Sequence, residues 1–439
     1  MKLKPPKNPN YTATIVEVTN IIPLEGMDRV QAAIVLGNQV IVSKDVKKGD
    51  IGVYFPVECQ LSHNYLATNN LYRKKDLNTD KEKAGYFDEN RRVRCVKFAK
   101  VHKSEGIFMP LESIINVFTN LDLSDIKFKV GDTFDEIEGV EICRKYTVNL
   151  RQKGSGLGGG RSGRGKVARE TKLIDNQFRF HDDTSMLFRN LHKFNPDSII
   201  SITYKLHGTS GISSKILCKK PLAWYEKILK KLGVNIVDTA YDYIYSSRKV
   251  IKNAELNPNT NHFYNEDIWG LAHNKVKDFL QNGMTLYYEI VGFLPYSGGY
   301  IQKEYDYGCN SKEFAVYIYR ITYTNVDGKV VEYSAKQVQE WCNKNGLNTV
   351  HELFYGKASE LLSDNRLNIK TWRNRFLQII KDRYNEKECF MCVNKLPEEG
   401  VVIRVEGLDF EAYKQKSTAF YERETAQLDK GENNIEDDN

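Results

Sequence analysis

The first 60 residues alternate hydrophobic and polar positions in short runs. The runs YTATIVEVTNI, VQAAIVLGNQVIVSKDV and IGVYFPV are separated or interrupted by turn signals such as LEGMD, LGNQ and KKGD. A period of two residues predicts half-buried strands, and turns that contain glycine or aspartate predict reversals between them. This part of the chain is therefore predicted to form a small β-barrel.

A basic run follows the predicted barrel strands. Residues 91–108, RRVRCVKFAKVHKSEGIF, alternate charged and apolar positions, so a strand pair here would carry its charges on one face. That face could contact a phosphate backbone, although a solvated strand face explains the pattern equally well. Short, closely spaced strands with polar turns favour an oligonucleotide-binding (OB) barrel, which we place at residues 1–143.

The barrel pattern ends in a basic, glycine-rich segment at residues 144–172. It contains QKGSGLGGGRSGRGK and has no periodicity, which predicts a flexible linker whose charges could follow a nucleic-acid backbone. Gly154, Gly156 and Gly159 match the GxGxxG pattern. Because no apolar strand precedes them and no amphipathic helix follows, a dinucleotide site is not predicted here.

Residues 173–420 mix strand-like and helix-like runs, which predicts an α+β domain. TLYYEIVGF, EFAVYIYRITYT and GVVIRVEG have the composition of buried strands, whereas residues 222–233 and 335–390 have mainly helical spacing. Residues 421–439 are acidic and polar, with too little apolar content to pack. They are predicted to form a disordered tail.

Composition narrows the class of protein. The 439 residues suffice for two or three domains, and the formal net charge of +7 favours a polyanionic partner. No segment reaches the ~18 apolar residues of a membrane helix, and the N-terminus has no signal-peptide core. We therefore expect a soluble, intracellular protein with no membrane partner, in a compartment that the sequence does not identify.

The eight cysteines have no spacing typical of a disulfide framework. Cys389 and Cys392 form one CxxC pair without a second pair nearby. Two partly buried thiols explain this pair better than a zinc site does, so no metal is predicted there.

Five short segments carry the candidate chemistry. Lys205 alone reads as a strand residue with its charge in solvent, but the nearby glycine would let the backbone approach a ligand closely. Glu289 lies in an apolar strand and needs a partner, which could be a bound hydroxyl, a cation, a metal-bound water or a structural salt bridge. Glu399 precedes a predicted strand and could be a turn residue as well as a residue of a functional site. The segments are, in order, KLHG at 205–208, SSR at 246–248, YYEIVG at 287–292, EEGVVIR at 398–404 and YKQKS at 413–417.

Lys414 and Lys416 alternate on one predicted strand. Residues two positions apart face the same side, where two ammonium groups repel each other unless an anion lies between them. A phosphate group is the natural occupant of that position.

As an ordered set, these segments resemble the covalent nucleotidyltransferase superfamily of polynucleotide ligases and mRNA capping enzymes. The matching positions span residues 203–417, and the aromatic strand at Phe314 to Tyr319 belongs to the same set. The closer resemblance is to ATP-dependent RNA ligases with an N-terminal OB domain, the nick-sealing type known from Deinococcus and Naegleria. DNA ligases and capping enzymes carry the OB domain after the last lysine motif, whereas here only the acidic segment follows Ser417.

The resemblance implies a fold and an activity. The catalytic domain is expected to be an ATP-grasp-like nucleotidyltransferase (adenylyltransferase) domain of the α+β class. Lys205 is expected to attack the α-phosphorus of ATP and form a lysyl-AMP, which passes AMP to a 5′-phosphate before a 3′-OH seals the RNA. The implied role is repair of nicked or broken RNA, with RNA as the partner and no obligate protein partner.

The resemblance also implies site residues and cofactors. Mg²⁺ or Mn²⁺ is expected to be held by Glu289 or Glu399, largely through water. Phe314 would stack on adenine, although an aromatic residue in a strand fits a core role as well. His207 replaces the superfamily's usual aspartate, and a neutral imidazole brings no negative charge to a metal or ribose. The expected nucleotide-binding residues are His207, Gly208, Arg248, Glu289, Phe314, Lys414 and Lys416.

Other activities fit parts of the pattern. A DNA ligase or an mRNA-capping guanylyltransferase would use the same covalent lysine chemistry, and the domain order argues against both. A catalytically inactive nucleic-acid-binding protein is the alternative outside the enzymes. The combination of the lysine, both glutamates and the lysine pair argues against it.

Overall fold

The computed structural model describes residues 3–118, 127–147, 172–181, 183–253, 264, 266–362 and 367–430. Most of the linker predicted at residues 144–172 lies outside the described residues. The part of the predicted tail beyond residue 430 lies outside them as well.

The N-terminal region folds mainly as short strands, as its alternating pattern predicts. Its strands are β1 (Ala13–Glu17), β2 (Asn20–Ile22), β3 (Val30–Val35), β4 (Asn38–Ser43), β5 (Ile51–Phe55), β6 (Cys59–Leu61), β7 (Cys95–Phe98), β8 (His102–Glu105), β9 (Ile107–Pro110), β10 (Thr133–Phe134), β11 (Glu136–Ile137), β12 (Val140–Glu141) and β13 (Cys143–Lys145). Its helices are α1 (His63–Thr68) and α2 (Glu112–Ile115). Antiparallel pairing gives the orders β10-β1-β5-β9 and β2-β3-β4, and further pairs join β7 to β8, β6 to β13 and β11 to β12.

The second region contains two five-stranded sheets and five helices among the described residues. Its strands are β14 (Ser185–Met186), β15 (Ile199–Tyr204), β16 (Thr209–Lys219), β17 (Thr239–Ser247), β18 (Met284–Gly292), β19 (Phe314–Thr324), β20 (Val330–Glu332), β21 (Glu352–Lys357), β22 (Gly400–Val405) and β23 (Glu411–Lys416). Its helices are α3 (Trp224–Lys231), α4 (Ile268–Val276), α5 (Ala335–Asn345), α6 (Ile369–Tyr384) and α7 (Thr418–Asp429). The strand orders are β14-β23-β22-β15-β21 and β17-β16-β18-β19-β20.

Short 3₁₀ turns complete the described elements. They are Pro9–Tyr11, Lys75–Leu77, Asn116–Phe118, Leu187–Arg189, Leu191–Lys193, Lys277–Phe279 and Ala358–Leu361.

The segment between β15 and β16 passes from one large sheet to the other. β15 ends at Tyr204 in the first sheet, and β16 begins at Thr209 in the second, so KLHG makes the crossing. β22 pairs with β15 and with β23, while β18 pairs with β16. The elements that carry the predicted motifs therefore meet around this crossing.

One hydrophobic cluster joins the N-terminal strands to the second region. Val35 and Val40 belong to the same buried cluster as Trp372, Phe376 and Leu377 of α6. A Cβ added to Gly37, in the turn between β3 and β4, would collide with the Leu377 side chain. The barrel strands thus pack directly on α6.

The helical spacing predicted for residues 335–390 is only partly correct. α5 and α6 are separated by the strand β21, whose Gly356 pairs with Ile200 of β15. Because the partner of β21 comes from a strand much earlier in the chain, local spacing did not reveal it.

The predicted disordered tail is wrong for residues 421–429, which form most of α7. The Ser417 side chain caps this helix by accepting the Phe420 N–H, and Phe420 is 2% exposed. Glu424 is buried beside Lys416. Tertiary partners stabilise α7, and the low apolar content of its own sequence does not show them.

The strand pair predicted within residues 91–108 is confirmed as β7 and β8. Its charges, however, are partly matched by acidic side chains of the second region. Lys97 Nζ lies 2.6 Å from Glu422 Oε2, and Arg92 donates a hydrogen bond to Asp429. The predicted cationic face therefore contacts α7.

The eight cysteines are thiols in this structure, and six of them are buried. Cys389 and Cys392 share a turn in which the Cys392 N–H donates to the Cys389 carbonyl at 3.4 Å. Across the part of the chain that the structure covers, no helix has both the length and the apolar content to cross a membrane.

Candidate active site

The KLHG crossing has a tightly constrained backbone. The Lys205 N–H donates to the Gly400 carbonyl at 2.9 Å, and the Gly208 N–H donates to Glu289 Oε1 at 3.2 Å. A Cβ at position 208 would collide with the Ile290 carbonyl oxygen. Glycine is therefore required for space, and its close contact with β18 holds Glu289 near the crossing.

Lys205 forms an ion pair with Glu399. Lys205 Nζ lies 2.7 Å from Glu399 Oε1, and Glu399, just before β22, is 1% exposed. A carboxylate buried this deeply needs charged or hydrogen-bonding partners, and Lys205 is one of them. The fold thus brings together two predicted site residues from distant segments.

His207 lies on the far side of the same carboxylate. Its Nδ1 is 3.7 Å from Glu399 Oε2, and its backbone N–H donates to the Tyr307 hydroxyl at 2.6 Å. The imidazole packs edge-on against Tyr305 and Phe420, at centroid distances of 5.1 and 4.9 Å. These contacts fix His207 beside Glu399, and its predicted contact with a nucleotide stays a prediction.

A cavity between the two large sheets opens onto the Lys205 side chain. Its empty space, counted together with the open solvent at its mouth, is about 1100 Å³. Four of the predicted residues line it, namely Lys205, Arg248, Glu289 and Lys414. Sequence reasoning did not single out several other lining residues, including His181, Gln339, Glu352, Arg404 and Phe410.

Part of the cavity wall is aromatic. The His181 ring lies 5.3 Å from Tyr319 and 5.7 Å from Phe410, between ring centroids, and the Arg320 guanidinium lies 4.2 Å from the Phe410 centroid. Burial lowers the pKa of His181 to about 3, and the charges of Arg320 and Arg248 act in the same direction. The imidazole is therefore neutral near pH 7. A planar base fits among such rings.

Phe314 is not among the described residues that line the cavity, and its stacking on adenine stays a prediction. It begins β19 opposite Gly292, and Lys275 Nζ lies 3.7 Å from its ring centroid. Tyr319, five residues later on the same strand, lines the cavity instead. At a rise of ~3.3 Å per residue the two backbone positions are roughly 16 Å apart along the strand. The motif strand was identified correctly, but its pattern did not show which ring faces the cavity.

Another part of the wall carries positive charge. Arg248 forms an ion pair with Asp183. Burial alone would raise the pKa of Asp183, but the charges of Arg248 and then Lys414 bring it below its ordinary value. A carboxylate thus pairs with Arg248 and feels the charge of Lys414, and a nucleotide phosphate could interact with the same two cations.

Lys416 has different neighbours from Lys414. Its Nζ lies 3.2 Å from Glu424 Oε2, 3.4 Å from Glu58 Oε1 and 3.9 Å from Glu399 Oε1. Lys414 lines the main cavity, whereas Lys416 lines a smaller one between the two regions. The predicted sharing of one phosphate by both lysines stays a prediction.

Glu289 and Glu399 are the carboxylates expected to hold a divalent metal. Within the described ranges, no group of three or more His, Cys, Asp or Glu side chains is arranged to hold a metal ion. Mg²⁺ usually keeps several waters and binds one or two carboxylates together with substrate phosphates. The two glutamates fit such a water-mediated ion better than an all-protein cage.

The arrangement suits nucleotidyl transfer to an amine. Aromatic residues could hold a base, Arg248 and Lys414 could hold phosphate, and the Lys205 amine lies at the wall of the same cavity. Amines of this kind form covalent intermediates when their environment activates them.

Comparisons with known proteins agree with this arrangement. A model of the RNA ligase family matches residues 199–418, and a model of an OB-fold domain matches residues 12–111. A search of the curated proteins found no match.

Solved structures with a similar fold include several of the Naegleria gruberi RNA ligase. A mutant with AMP and Mn is 17% identical with a TM-score of 0.54, and the alignment covers 94% of this chain and 98% of that one. The structure with PPi is 18% identical, with a TM-score of 0.54 and the same coverage. A second mutant, with ATP and Mn, is 17% identical with a TM-score of 0.53, covering 95% and 99%. The predicted order, an OB-type barrel before the catalytic domain, is confirmed.

Proposed function

Because the chain belongs to the RNA ligase family, we propose that it is an ATP-dependent enzyme that joins 5′-phosphate and 3′-OH RNA ends through a covalent lysyl-AMP. One observation carries the proposal: the Lys205 amine lies 2.7 Å from the Glu399 carboxylate, at the wall of a cavity that aromatic rings, Arg248 and Lys414 also line. The Naegleria gruberi RNA ligase structures with ATP, AMP, PPi and Mn support the choice of nucleotide and metal.

In the first step, the lone pair of Lys205 Nζ attacks the α-phosphorus of ATP. The bond from this phosphorus to the bridging oxygen breaks, PPi leaves, and a P–N bond joins AMP to the lysine. Nζ must lose a proton to react, and Glu399 lies within hydrogen-bond reach to accept it.

The cavity wall supplies binding and charge stabilisation for this step. His181, Tyr319 and Phe410 would hold the adenine, while Arg248 and Lys414 would balance the negative charge that develops on the α-phosphate. A bound Mg²⁺ or Mn²⁺ would neutralise further phosphate charge, and Glu289 and Glu399 are the residues that would hold it through water.

In the second step, AMP moves from Lys205 to the 5′-phosphate of an RNA end. A 3′-OH then attacks that phosphate, expels AMP and forms the phosphodiester. The OB-type domain would hold RNA beside the catalytic domain. We assign nicked RNA as the substrate class, and RNA repair as the role.

The covalent step is tested by incubating the protein with ATP labelled at the α-phosphate and running a denaturing gel. The wild type should retain label and Lys205→Ala should retain none. Lys219→Ala is the matched control, because Lys219 is an exposed lysine at the other end of β16. Label on the Lys205 variant would contradict the assignment.

The substrate class is tested with nicked duplexes that carry RNA or DNA at the 3′-OH end, and with single-stranded ends. Sealing should require RNA and ATP. Sealing of all-DNA nicks at the same rate would favour a DNA ligase, and labelling by GTP instead of ATP would favour a guanylyltransferase.

A further inference from the structure

The surroundings of Lys416 place a residue of the N-terminal domain beside the catalytic centre. Glu58 lies in the turn between β5 and β6 of the barrel, and its Oε1 is 3.4 Å from Lys416 Nζ. Glu424 of α7 contacts the same ammonium at 3.2 Å. Lys416 is 4% exposed, so these carboxylates replace the water that its charge has lost.

Lys416 has three acidic partners from separate segments of the chain. Glu58 precedes β6, Glu399 precedes β22 and Glu424 belongs to α7, and each has a carboxyl oxygen within 3.9 Å of the ammonium.

The carboxyl groups of Glu58 and Glu424 hydrogen-bond to each other. Burial opposes the charge on Glu58, but Lys416 and the bond from Glu424 lower the pKa of Glu58 to about 2, whereas burial and the neighbouring Glu58 raise the pKa of Glu424 well above its ordinary value. Glu58 is thus the ionised member that faces Lys416.

The backbone at Glu58 has an unusual conformation that its neighbours hold in place. Its φ is +67°, in the left-handed region that favours glycine. Backbone bonds fix the turn, since the Glu58 N–H donates to Val93 at 3.0 Å and its carbonyl accepts from Tyr146 at 2.8 Å. The surrounding fold thus holds Glu58 in a conformation that glycine adopts more easily.

Lys416 and Lys205 have one carboxylate oxygen in common. Glu399 Oε1 lies 2.7 Å from Lys205 Nζ and 3.9 Å from Lys416 Nζ. If Lys416 lost its Glu58 partner, its charge would move towards Glu399 and compete with Lys205 for the same oxygen. The position of Lys416 thus determines how closely the Glu399 carboxylate can pair with Lys205.

We infer that Glu58 is a positioning residue for the transfer of AMP to Lys205, acting through Lys416, so that the OB-type domain takes part in the first chemical step as well as in holding RNA. This inference rests on the proposed function. It goes beyond it by giving a barrel residue a role in a reaction that involves no RNA.

The test compares rates of self-adenylylation at saturating ATP for the wild type, Glu58→Gln, Lys416→Met and the double variant. Glu58→Gln should slow the reaction about tenfold or more, with the KM for ATP changed by less than about twofold. In the Lys416→Met background the same change should alter the rate by less than about twofold, because the group through which Glu58 acts is gone.

Two further variants separate positioning from folding. Glu58→Gly relaxes the left-handed turn while removing the carboxylate, so it should fold and still react slowly. Glu138→Gln is the matched control, because Glu138 is an exposed glutamate of the same domain that also has a positive φ, +48°. It should react at the wild-type rate.

Two results would overturn the inference. One is a wild-type rate for both Glu58 variants, and the other is an equal loss with and without Lys416, which would indicate a merely structural role. Absence of label on the wild type would instead overturn the proposed function, so the two failures are distinguishable.

Discussion

At Glu399, one carboxylate oxygen lies close to two lysines. Under the proposed function, Lys205 has to release a proton and become a nucleophile, whereas Lys416 stays charged among its acidic neighbours. Removing the charge of Glu399 would therefore affect both lysines at once.

Glu399→Gln should lower the rate of self-adenylylation by at least ~10², the usual cost of losing a preorganised group at a reaction centre. The same labelling assay measures it. Glu398→Gln is the matched control, because burial raises the pKa of Glu398 to about 7 and glutamine resembles the neutral form it already populates. Equal losses for both variants would contradict the assignment of Glu399.

Tyr319→Leu should raise the KM for ATP about tenfold, because it removes a ring from the cavity wall, where a stacked base is worth roughly 1–3 kcal/mol. Phe314→Leu, on the same strand but outside the cavity lining, should leave the KM within about twofold. If Phe314→Leu raised the KM for ATP and Tyr319→Leu did not, the result would support the predicted stacking of Phe314 on adenine instead.

The fixed order of the motifs predicted several residues that the fold brings together. Lys205, Arg248, Glu289 and Lys414 line one cavity although they come from four segments. His181, in contrast, carries no local signal, since its role depends on Tyr319 and Phe410 beside it in space. Residues of this kind become visible only once the fold is known.

At the scale of elements, α7 shows where composition misleads. Its residues are mostly polar, yet it contributes Phe420 to the packing around His207 and Glu424 to the Lys416 cluster. The strands were easier to predict, because period-two alternation is a local property of the sequence. The stability of a polar helix depends instead on the residues that pack against it.

Phe420→Ala should lower the free energy of unfolding by about 3–5 kcal/mol, the usual cost of truncating a buried phenylalanine. Urea denaturation measures this change. Ala426→Ser, at an exposed position of the same helix, should change stability by less than ~0.5 kcal/mol. An unfolding free energy unchanged by Phe420→Ala would indicate that α7 contributes little to stability.

At the scale of the whole molecule, the two regions share a hydrophobic core. Barrel residues such as Val35 pack in one cluster with Phe376 and Leu377 of α6. Alternation predicted that the barrel strands have a buried face. It did not predict that this face packs against a helix more than 300 residues later in the chain. The hydrogen bond from Lys381 to Asn38 joins the same two parts of the chain at a separation of 343 residues.

Acid should destabilise the molecule partly through His273, which lies buried under the second sheet. Burial lowers its pKa from 6.5 to about 4, so between these values the unfolded chain binds a proton that the folded chain does not. Stability therefore falls as the pH drops through this window, and from pH 7 to pH 5 this group costs about 2 kcal/mol.

Between pH 7 and pH 5, the unfolding free energy of His273→Gln should fall by about 2 kcal/mol less than that of the wild type. Urea denaturation at the two pH values gives the difference. His192→Gln, at an exposed position, should follow the wild type. Parallel pH profiles for the wild type and His273→Gln would show that the fold does not lower the pKa of His273.

The buried contact between Glu58 and Lys416 also has a consequence for synthesis. The two residues are 358 positions apart. At about 5–20 residues per second, a ribosome would need roughly 20–70 s to reach Lys416 after it has added Glu58. During that interval the nascent barrel carries an acidic side chain whose counter-charge does not yet exist. A growing chain would thus lack the buried cluster of Glu58, Glu399 and Lys416 until Lys416 has been added.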